Sequence, residues 1–346
     1  MYHKIGKSYA NMWRFKEGLT SENNELVAHN ERLYELYRQQ PKRKFCKICH
    51  GTKRRFEFHS HGVLYYCCDE CGHINGNHVD TEEYCKKLYE SDDGCFGAQY
   101  EDIDMEAYLA RMKTIYLPKA EFLRDAIVHM GGTNASGMKF LDVGAGSGHF
   151  VYAMNELGLD ASGIDVDVHQ VRHAQKILTK GMLEHCPSEN MVNYISNVNA
   201  DVLTCIYAFE HITNVVEVFD AIQKNKRIQW VYFAVPMLAY TSMLESVNPK
   251  VYARVLHAAH THIYTEESIA WLCKKYNWEP VGDWRFGSDA ADVLRTIMVE
   301  LELQGDVQFA QFCKEKYVDI IDDLQYVMDK HGCCSDIHIL VKKNNP

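Results

Sequence analysis

Long apolar runs are missing from this 346-residue sequence. No stretch is apolar for long enough to span a bilayer, and the opening MYHKIGKSYANMWRF lacks the apolar core of a secretion signal. Internal repeats and low-complexity tracts are absent as well, which argues against repeat architectures and extensive disorder. We therefore expect a globular, cytoplasmic protein with two domains, or with one domain and an added module.

An excess of positive charge is also missing. The 37 Lys and Arg residues stand against 47 Asp and Glu residues, and the net charge of −10 disfavours a uniformly basic nucleic-acid binder. Residues 38–55, the basic segment, are a local exception, because their cations occur without any acid. The segment could follow the phosphates of RNA or the diphosphate of a nucleotide-sugar, or it could be a solvated surface. Its cations are Arg38, Lys42, Arg43, Lys44, Lys47, Lys53, Arg54 and Arg55.

Cysteine, in contrast, is plentiful, and its spacing predicts a metal site. Thirteen cysteines without a secretion signal indicate reduced thiols. Two Cys-x2-Cys pairs, Cys46 with Cys49 and Cys68 with Cys71, are separated by 18 residues, as in a four-cysteine zinc ribbon. Four thiolates leave no open position, so the predicted Zn²⁺ is structural. Cys67 is an alternative to Cys68, and three further histidines are spare ligand candidates, namely His50, His61 and His73.

A glycine-rich turn follows the first of several predicted strands. Residues 138–150 read MKFLDVGAGSGHF, so an apolar strand runs into Asp142 and then into three glycines. Glycines allow a sharp turn and a close approach of a ligand to the backbone. Asp165, 21 residues after Gly144 at the end of the next predicted strand, could accept hydrogen bonds from a ribose. The G-x-G-x-G spacing differs from the dinucleotide fingerprint and favours a cofactor without a pyrophosphate.

These motifs resemble those of the class I S-adenosylmethionine (SAM)-dependent methyltransferases. The family's first motif has the pattern of residues 139–148, its second is an acid at the end of strand two, and CIYAFEHI at 205–212 resembles its fourth-strand motif. The resemblance covers about residues 110–346 and implies SAM as the cofactor. The cofactor-binding residues that it implies are Asp142, Gly144, Ala145, Gly146, Ser147, Gly148, Asp165, Val166, Tyr207 and Phe209.

The alternation of strands and helices predicts an α/β fold with a parallel sheet covered on both faces. The predicted strands begin with 139–143, 161–165, 202–206 and 229–235. The resemblance adds a Rossmann-like, doubly wound sheet of seven strands whose last strand is antiparallel, with DIHILVKK as that strand. The predicted domains are an N-terminal helical segment (1–44), the zinc ribbon (45–78), a helical connector or lid (79–130) and the methyltransferase domain (131–346), which contains a helical insertion at about 290–330.

Histidines are the candidates for chemistry at the acceptor. A hydroxyl acceptor must lose its proton during methyl transfer, and histidine titrates close to neutral pH. His260 and His262 belong to a loop that lies over the cofactor in the family, and His211 follows the fourth strand. Thr265 is predicted to cap the helix that begins at 266, and Ser288 to cap a helix whose acids are solvated. Arg111, Lys119 and the tyrosines before the core could close over the cofactor; these are Tyr100, Tyr108 and Tyr116.

The combination of a zinc ribbon with this core resembles sugar C-methyltransferases of polysaccharide gene sets. Those enzymes typically carry Tyr-x-His-x-His, whereas this chain has His260-Thr-His262-Ile-Tyr264, which favours an O-acceptor. We expect a hydroxyl of a sugar, nucleotide-sugar or glycan to receive the methyl group. A zinc-ribbon RNA or protein methyltransferase is the first alternative, since a ribosomal-RNA methyltransferase also has an N-terminal zinc module. A cofactor-binding scaffold without turnover is the second.

Overall fold

The computed structural model describes residues 1–8, 18–89, 104–131, 135–178 and 182–344. The strands are β1 (Tyr2–Ile5), β2 (Arg54–Ser60), β3 (Val63–Cys68), β4 (Ile74–Gly76), β5 (Lys139–Val143), β6 (Asp160–Asp165), β7 (Leu183–His185), β8 (Val202–Ile206), β9 (Trp230–Pro236), β10 (His262–Ile263), β11 (Trp278–Phe286) and β12 (Asp336–Lys343). The helices are α1 (Gly18–Ser21), α2 (Asn23–Arg38), α3 (Glu82–Tyr89), α4 (Met105–Arg111), α5 (Leu117–Gly131), α6 (His149–Glu156), α7 (Val168–Ile177), α8 (Ser188–Asn197), α9 (Val215–Lys224), α10 (Tyr240–Val247), α11 (Glu266–Tyr276), α12 (Asp289–Gln304), α13 (Val307–Tyr317) and α14 (Ile321–Lys330). No helix among these residues combines the length and the apolar character needed to cross a lipid bilayer.

The larger sheet has eight strands in the order β1, β11, β12, β9, β8, β5, β6, β7. Strands β5 to β9 run parallel to one another, and β12 runs antiparallel to both β9 and β11. The predicted Rossmann-like sheet of seven strands with an antiparallel last strand is therefore confirmed. Strand β1 adds an eighth strand beside β11, within the segment predicted as helical. The sequence YHKI is too short and too polar to predict a strand without its partner.

Both faces of this sheet are buried, as its continuous apolar strands require. In β9 the alternate residues Val231, Phe233 and Val235 enter one core, together with residues of α8, α9 and α11. Trp230, Tyr232 and Ala234 enter a second core on the opposite face, with residues of α5, α6 and α7. The sheet is thus rigid and supports the loops at its carboxyl edge.

A second sheet joins residues 45–78, which we call the cysteine-rich module, to the rest of the chain. Its order is β10, β4, β3, β2, and β10 comes from the segment after α10, far along the sequence. The pairing of β10 with β4 is antiparallel and sets His262 opposite Asn75. Tyrosines of α2, α3 and β3 pack in one core with apolar residues 255–259. Cys46, Ile48, Cys68 and Cys71 of the module pack in the core that contains Val231, Phe233 and Val235 of β9, so the module and the large sheet share a core.

The insertion between β11 and β12, predicted as helical at about 290–330, contains three helices, α12 to α14. The acids at its start are not solvated as expected, because Asp289 and Asp292 are buried. The Asp289 carboxylate accepts hydrogen bonds from the Thr241 hydroxyl (2.8 Å) and the Ser335 N–H (2.8 Å). Ser288 does occupy the N-cap position of α12, but its side chain makes no capping hydrogen bond.

Candidate functional site

A cavity of about 860 Å³ opens where the parallel strands β5, β6 and β8 end. In an open α/β sheet this carboxyl edge is where ligands bind, because the loops diverge there. Residues 144–147 and 165–167 line it after β5 and β6, and residues 206–208 and 210–214 line it at the end of β8. The loop after α10 contributes His257 and His260. Widely separated parts of the sequence therefore meet in one cavity.

The glycine loop, residues 144–148, takes a path that other residues would strain. Gly144 has φ +73°, and a Cβ there would lie 2.4 Å from the Cβ of Ala208. Gly148 has φ +77°, and a Cβ there would lie 2.6 Å from Leu178. Left-handed backbone of this kind favours glycine. Gly144, Ala145, Gly146 and Ser147 line the cavity as predicted, whereas Gly148 starts α6 outside the lining.

Two predicted acids stand at the base of the loop. Asp142 is buried and accepts a hydrogen bond from the Thr204 hydroxyl (2.7 Å), and burial raises the pKa of its carboxyl to about 7. Asp165 accepts the Gly146 N–H (2.6 Å) and the Asp167 N–H (2.8 Å). Burial raises the pKa of Asp165, and these backbone N–H groups oppose that rise. Asp165 thus fixes the glycine loop while it lines the cavity, next to Val166.

The end of β8 turns abruptly at Tyr207. Its φ of +55° is uncommon for a residue with a Cβ and typical of functional sites. Tyr207 and Ala208 line the cavity, and the Lys119 ammonium lies 4.6 Å from the centroid of the Tyr207 ring. Phe209, predicted to contact the cofactor, lies in the core instead, with its ring 5.0 Å from that of Phe219. The turn at Tyr207 reverses which side chains face the cavity.

Aromatic side chains cover the glycine loop. The His149 ring lies between Tyr108 and Tyr116, with centroids 3.9 Å and 5.1 Å away. The Tyr108 hydroxyl donates to the Ser147 carbonyl (3.1 Å). Burial, with Arg111 nearby, lowers the pKa of His149 to about 3, so its ring is neutral. Arg111 and Lys119 line the cavity, as suggested from the sequence; Tyr100 lies outside the described residues.

Histidines and one acid line another part of the cavity, and we call these four residues the histidine cluster: Glu210, His211, His257 and His260. The His211 and His260 rings are 5.0 Å apart, and the His257 and His260 rings 3.9 Å apart. Burial lowers the pKa of all three histidines, that of His260 to about 4. Burial raises the pKa of Glu210 to about 8. The sequence predicted His211 and His260 here but not Glu210 and His257.

His262, the other predicted catalytic histidine, does not line the cavity. It is fully buried in β10, and its Nδ1 lies 2.8 Å from Nε2 of His73 in the cysteine-rich module. Its neighbour Tyr264 is likewise buried, and Thr265 caps α11 by accepting the Ser268 N–H (3.1 Å), as predicted. The contact between β10 and β4 therefore holds His262 away from any ligand in the cavity.

The four predicted metal cysteines lie together. Their Sγ atoms are all within 4.8 Å of one another, with Cys46 to Cys71 at 3.6 Å and Cys49 to Cys68 at 3.4 Å. Both pairs form the same tight turn. The His50 N–H donates to the Cys46 carbonyl, and the Gly72 N–H donates to the Cys68 carbonyl, four residues earlier in each case. The Cys67 Sγ contacts the carbonyls of Cys68 and Gly72 instead and is not part of the cluster.

The basic segment is largely neutralised by acids. Arg43 and Lys47 are buried and both pair with Asp80. Three more cations have acidic partners, and these pairs are Arg38 with Glu31, Arg54 with Glu57 and Arg55 with Glu267. Five of the eight cations therefore serve internal contacts, which reduces the charge available to a phosphate backbone.

Residues 114–282 match a family model described as a methyltransferase domain. No curated protein matches the chain in sequence. Similar solved structures include a SAM-dependent methyltransferase from Archaeoglobus fulgidus, at 13% identity over 68% of this chain and 99% of that one (TM-score 0.40). Magnesium protoporphyrin IX methyltransferase from Synechocystis, with bound S-adenosylhomocysteine (SAH), is 10% identical over 70% of this chain and 89% of that one (TM-score 0.41). Phosphoethanolamine N-methyltransferase 2 from Haemonchus contortus, in complex with SAM, is 16% identical over 78% of this chain and 62% of that one (TM-score 0.41).

Proposed function

We propose that this chain, a SAM-dependent methyltransferase, methylates a hydroxyl of a small acceptor, namely a sugar, a nucleotide-sugar or a glycan. One observation carries the proposal: the glycine loop and the histidine cluster line the same cavity. Its volume of about 860 Å³ is near the top of the range for ligand pockets, about 300–1,000 Å³. A cofactor and a small acceptor therefore fit side by side.

The residues of the glycine loop and the acids beside it would hold the cofactor. Asp165 would accept hydrogen bonds from the ribose, and the loop backbone from Gly144 to Ser147 would lie against the methionine part. The stacked rings of Tyr108, His149 and Tyr116 pack beside this loop, and His149 and Tyr116 also line the cavity. When bound, SAM supplies a methyl group on a positively charged sulfur, and the protein has to align the acceptor with it.

His260 is the residue best placed to act on the acceptor hydroxyl. Its Nδ1 donates to the Val255 carbonyl (2.8 Å), which leaves Nε2 as the nitrogen with a lone pair. As the new C–O bond forms and the methyl–sulfur bond breaks, the electron pair of that bond stays on sulfur. The hydroxyl proton passes to Nε2 and then to water. His211 would contact the same hydroxyl from the end of β8.

We also propose that Cys46, Cys49, Cys68 and Cys71 bind a structural Zn²⁺. Tetrahedral Zn²⁺ with Zn–S distances of about 2.3 Å requires sulfurs about 3.8 Å apart. The Cys46–Cys71 and Cys49–Cys68 sulfur distances, 3.6 and 3.4 Å, lie close to this value. All four cysteines are occupied in such a site, so the ion would fold the module and take no part in methyl transfer.

RNA as the acceptor receives less support. An RNA-binding face needs several exposed cations, because each phosphate contact adds to affinity and to its dependence on salt. Asp80 instead holds Arg43 and Lys47 in the interior, and the body of the protein is acidic.

The test is transfer of labelled methyl from SAM into a panel of nucleotide-sugars, glycans and an RNA preparation. We expect label in a sugar-containing acceptor, and label confined to RNA or protein would overturn the proposal. His260→Asn should lower turnover by about 10²-fold or more while affinity for SAH is retained. His262→Asn is the matched control, since that residue lies two positions away but outside the cavity, and it should keep most of the activity.

A further inference from the structure

The histidine cluster contains three side chains whose ligand atoms converge. One oxygen of Glu210 and one ring nitrogen each of His211 and His260 all lie within 4.8 Å of one another. Glu210 Oε1 and His211 Nε2 are 3.9 Å apart. Ligands on one first-row cation, each about 2.1 Å from it, are about 3–4 Å apart. Small side-chain rotations would therefore bring all three onto one ion.

The Glu210 carboxylate lacks the partner that its position demands. The residue is 1% exposed, and neither oxygen receives a hydrogen bond from another residue in the described part of the chain. A carboxylate without hydrogen bonds in a buried site is costly, so such groups are normally paired or coordinate a metal. Glu210 lies in the wall of the cavity, where a small ion can reach it.

The two histidines are oriented from behind by backbone carbonyls. His260 Nδ1 donates to the Val255 carbonyl, and the Ala259 carbonyl accepts a hydrogen bond from the His211 ring. Histidines that bind metals usually donate their other nitrogen to a carbonyl or a carboxylate, which fixes the tautomer. Both carbonyls belong to the same short segment, residues 255–259, so one loop sets both rings.

We propose that Glu210, His211 and His260 bind a divalent first-row cation, and that this cation coordinates the oxygen of the acceptor hydroxyl. Two imidazoles and one carboxylate leave open coordination positions, unlike four thiolates. A cation there acts as a Lewis acid and makes the bound hydroxyl more acidic.

The inference deepens the proposed function and rests on it for the identity of the acceptor, but it replaces the role of His260 as proton acceptor, because the Nε2 lone pair would be on the cation. With the imidazole lone pairs on the cation, the bound hydroxyl loses its proton to water in the cavity. Its oxygen then forms the bond to the methyl carbon, the methyl–sulfur bond breaks, and the electron pair remains on sulfur.

Mn²⁺ is a suitable probe, because carboxylate and imidazole ligands accept it while thiolates prefer zinc. Protein carrying its zinc would be titrated with Mn²⁺, and free Mn²⁺ would be followed by electron paramagnetic resonance. We expect one Mn²⁺ per wild-type chain, and binding weakened by about tenfold or more in Glu210→Gln and in His260→Asn. Ser188→Ala, which alters the same cavity outside the histidine cluster, should bind Mn²⁺ within about threefold of wild type.

SAH affinity and thermal denaturation of each variant would show that it is folded. Absence of Mn²⁺ binding to the wild type, or equal binding to all variants, would overturn the metal site. The second arm measures methyl transfer after a mild chelator that leaves zinc in place, with and without added Mn²⁺; we expect loss and recovery. Transfer that persists without the cation would overturn the metal's role yet leave the proposed function intact, whereas Mn²⁺ binding with no transfer to any sugar acceptor would contradict only the proposed acceptor.

Discussion

The carboxylate of Asp165 has two roles. It accepts backbone N–H groups from Gly146 and Asp167, and it lines the cavity where a ribose would lie. Because each oxygen has a further lone pair, both tasks are compatible. Loss of the side chain would therefore remove ligand contacts and also loosen the glycine loop.

We expect Asp165→Ala to weaken SAH binding by about 10²-fold or more, since two hydrogen bonds to a charged group contribute about 1.5–3 kcal/mol each. Isothermal titration calorimetry measures the change directly. Asp160→Ala is the control, because Asp160 is an exposed acid at the opposite end of β6. Unchanged affinity in Asp165→Ala, with a folded protein, would remove Asp165 from the cofactor site.

The sequence predicted most of the residues that line the cavity beside the glycine loop, because they belong to the turn itself. Asp142, the loop from Gly144 to Ser147 and Asp165 all adjoin strands whose apolar runs are easily recognised. Phe209 was misplaced since strand periodicity cannot anticipate the left-handed residue at Tyr207, which rotates the following side chains. Glu210 had no signal of its own, because its meaning depends on His260, fifty residues later.

At the scale of elements, the paired cysteine turns define the N-terminal module. Three short strands and a few apolar side chains make a small core, and a metal ion commonly supplies the missing stability in such modules. Four convergent thiols in two such turns have the arrangement that a tetrahedral Zn²⁺ site requires. The module is thus expected to depend on the ion.

Cys46→Ser should release zinc and lower the melting temperature by several degrees or more, because structural zinc contributes about 10–16 kcal/mol in small modules. Zinc content measured by plasma mass spectrometry, together with a thermal scan, tests this. Cys67→Ser is the matched control. Cys67 is next to Cys68 in the sequence, but its sulfur contacts only carbonyls, so zinc should be retained in this variant. Equal zinc content in both variants would exclude Cys46 as a ligand.

Contacts between distant elements explain what the sequence did not predict at this scale. Strand β10 has two residues and exists because β4 of the cysteine-rich module pairs with it, which takes His262 out of the cavity. The burial of the acids of α12 also depends on distant elements. Asp289 is bound by Thr241 and Ser335, which lie more than 45 residues before and after it in the sequence. Local periodicity contains no information about such partners.

At the scale of the whole molecule, the cysteine-rich module and the flanking helices α2 and α3 hold in position the part of the cavity wall that contains His257 and His260. The Tyr34 hydroxyl donates to the Leu256 carbonyl, and the Tyr84 hydroxyl donates to the Ala258 carbonyl (2.9 Å). Both carbonyls lie in the segment 255–260 that carries His257 and His260. The module and its flanking helices therefore support the segment that carries His257 and His260.

This arrangement predicts that Tyr84→Phe loosens the segment. A buried carbonyl without a partner costs about 1–3 kcal/mol, so amide hydrogen exchange in residues 255–260 should become about tenfold faster or more. Methyl transfer should fall in parallel, while SAH affinity stays near the wild-type value because the glycine loop is unaffected. Tyr37→Phe is the control: the Tyr37 hydroxyl donates to the His78 carbonyl, so the variant loses a comparable bond in the same core and leaves the Ala258 carbonyl paired. Equal acceleration of exchange in both variants would mean that the effect is general destabilisation, and the module would then have no specific influence on the acceptor side.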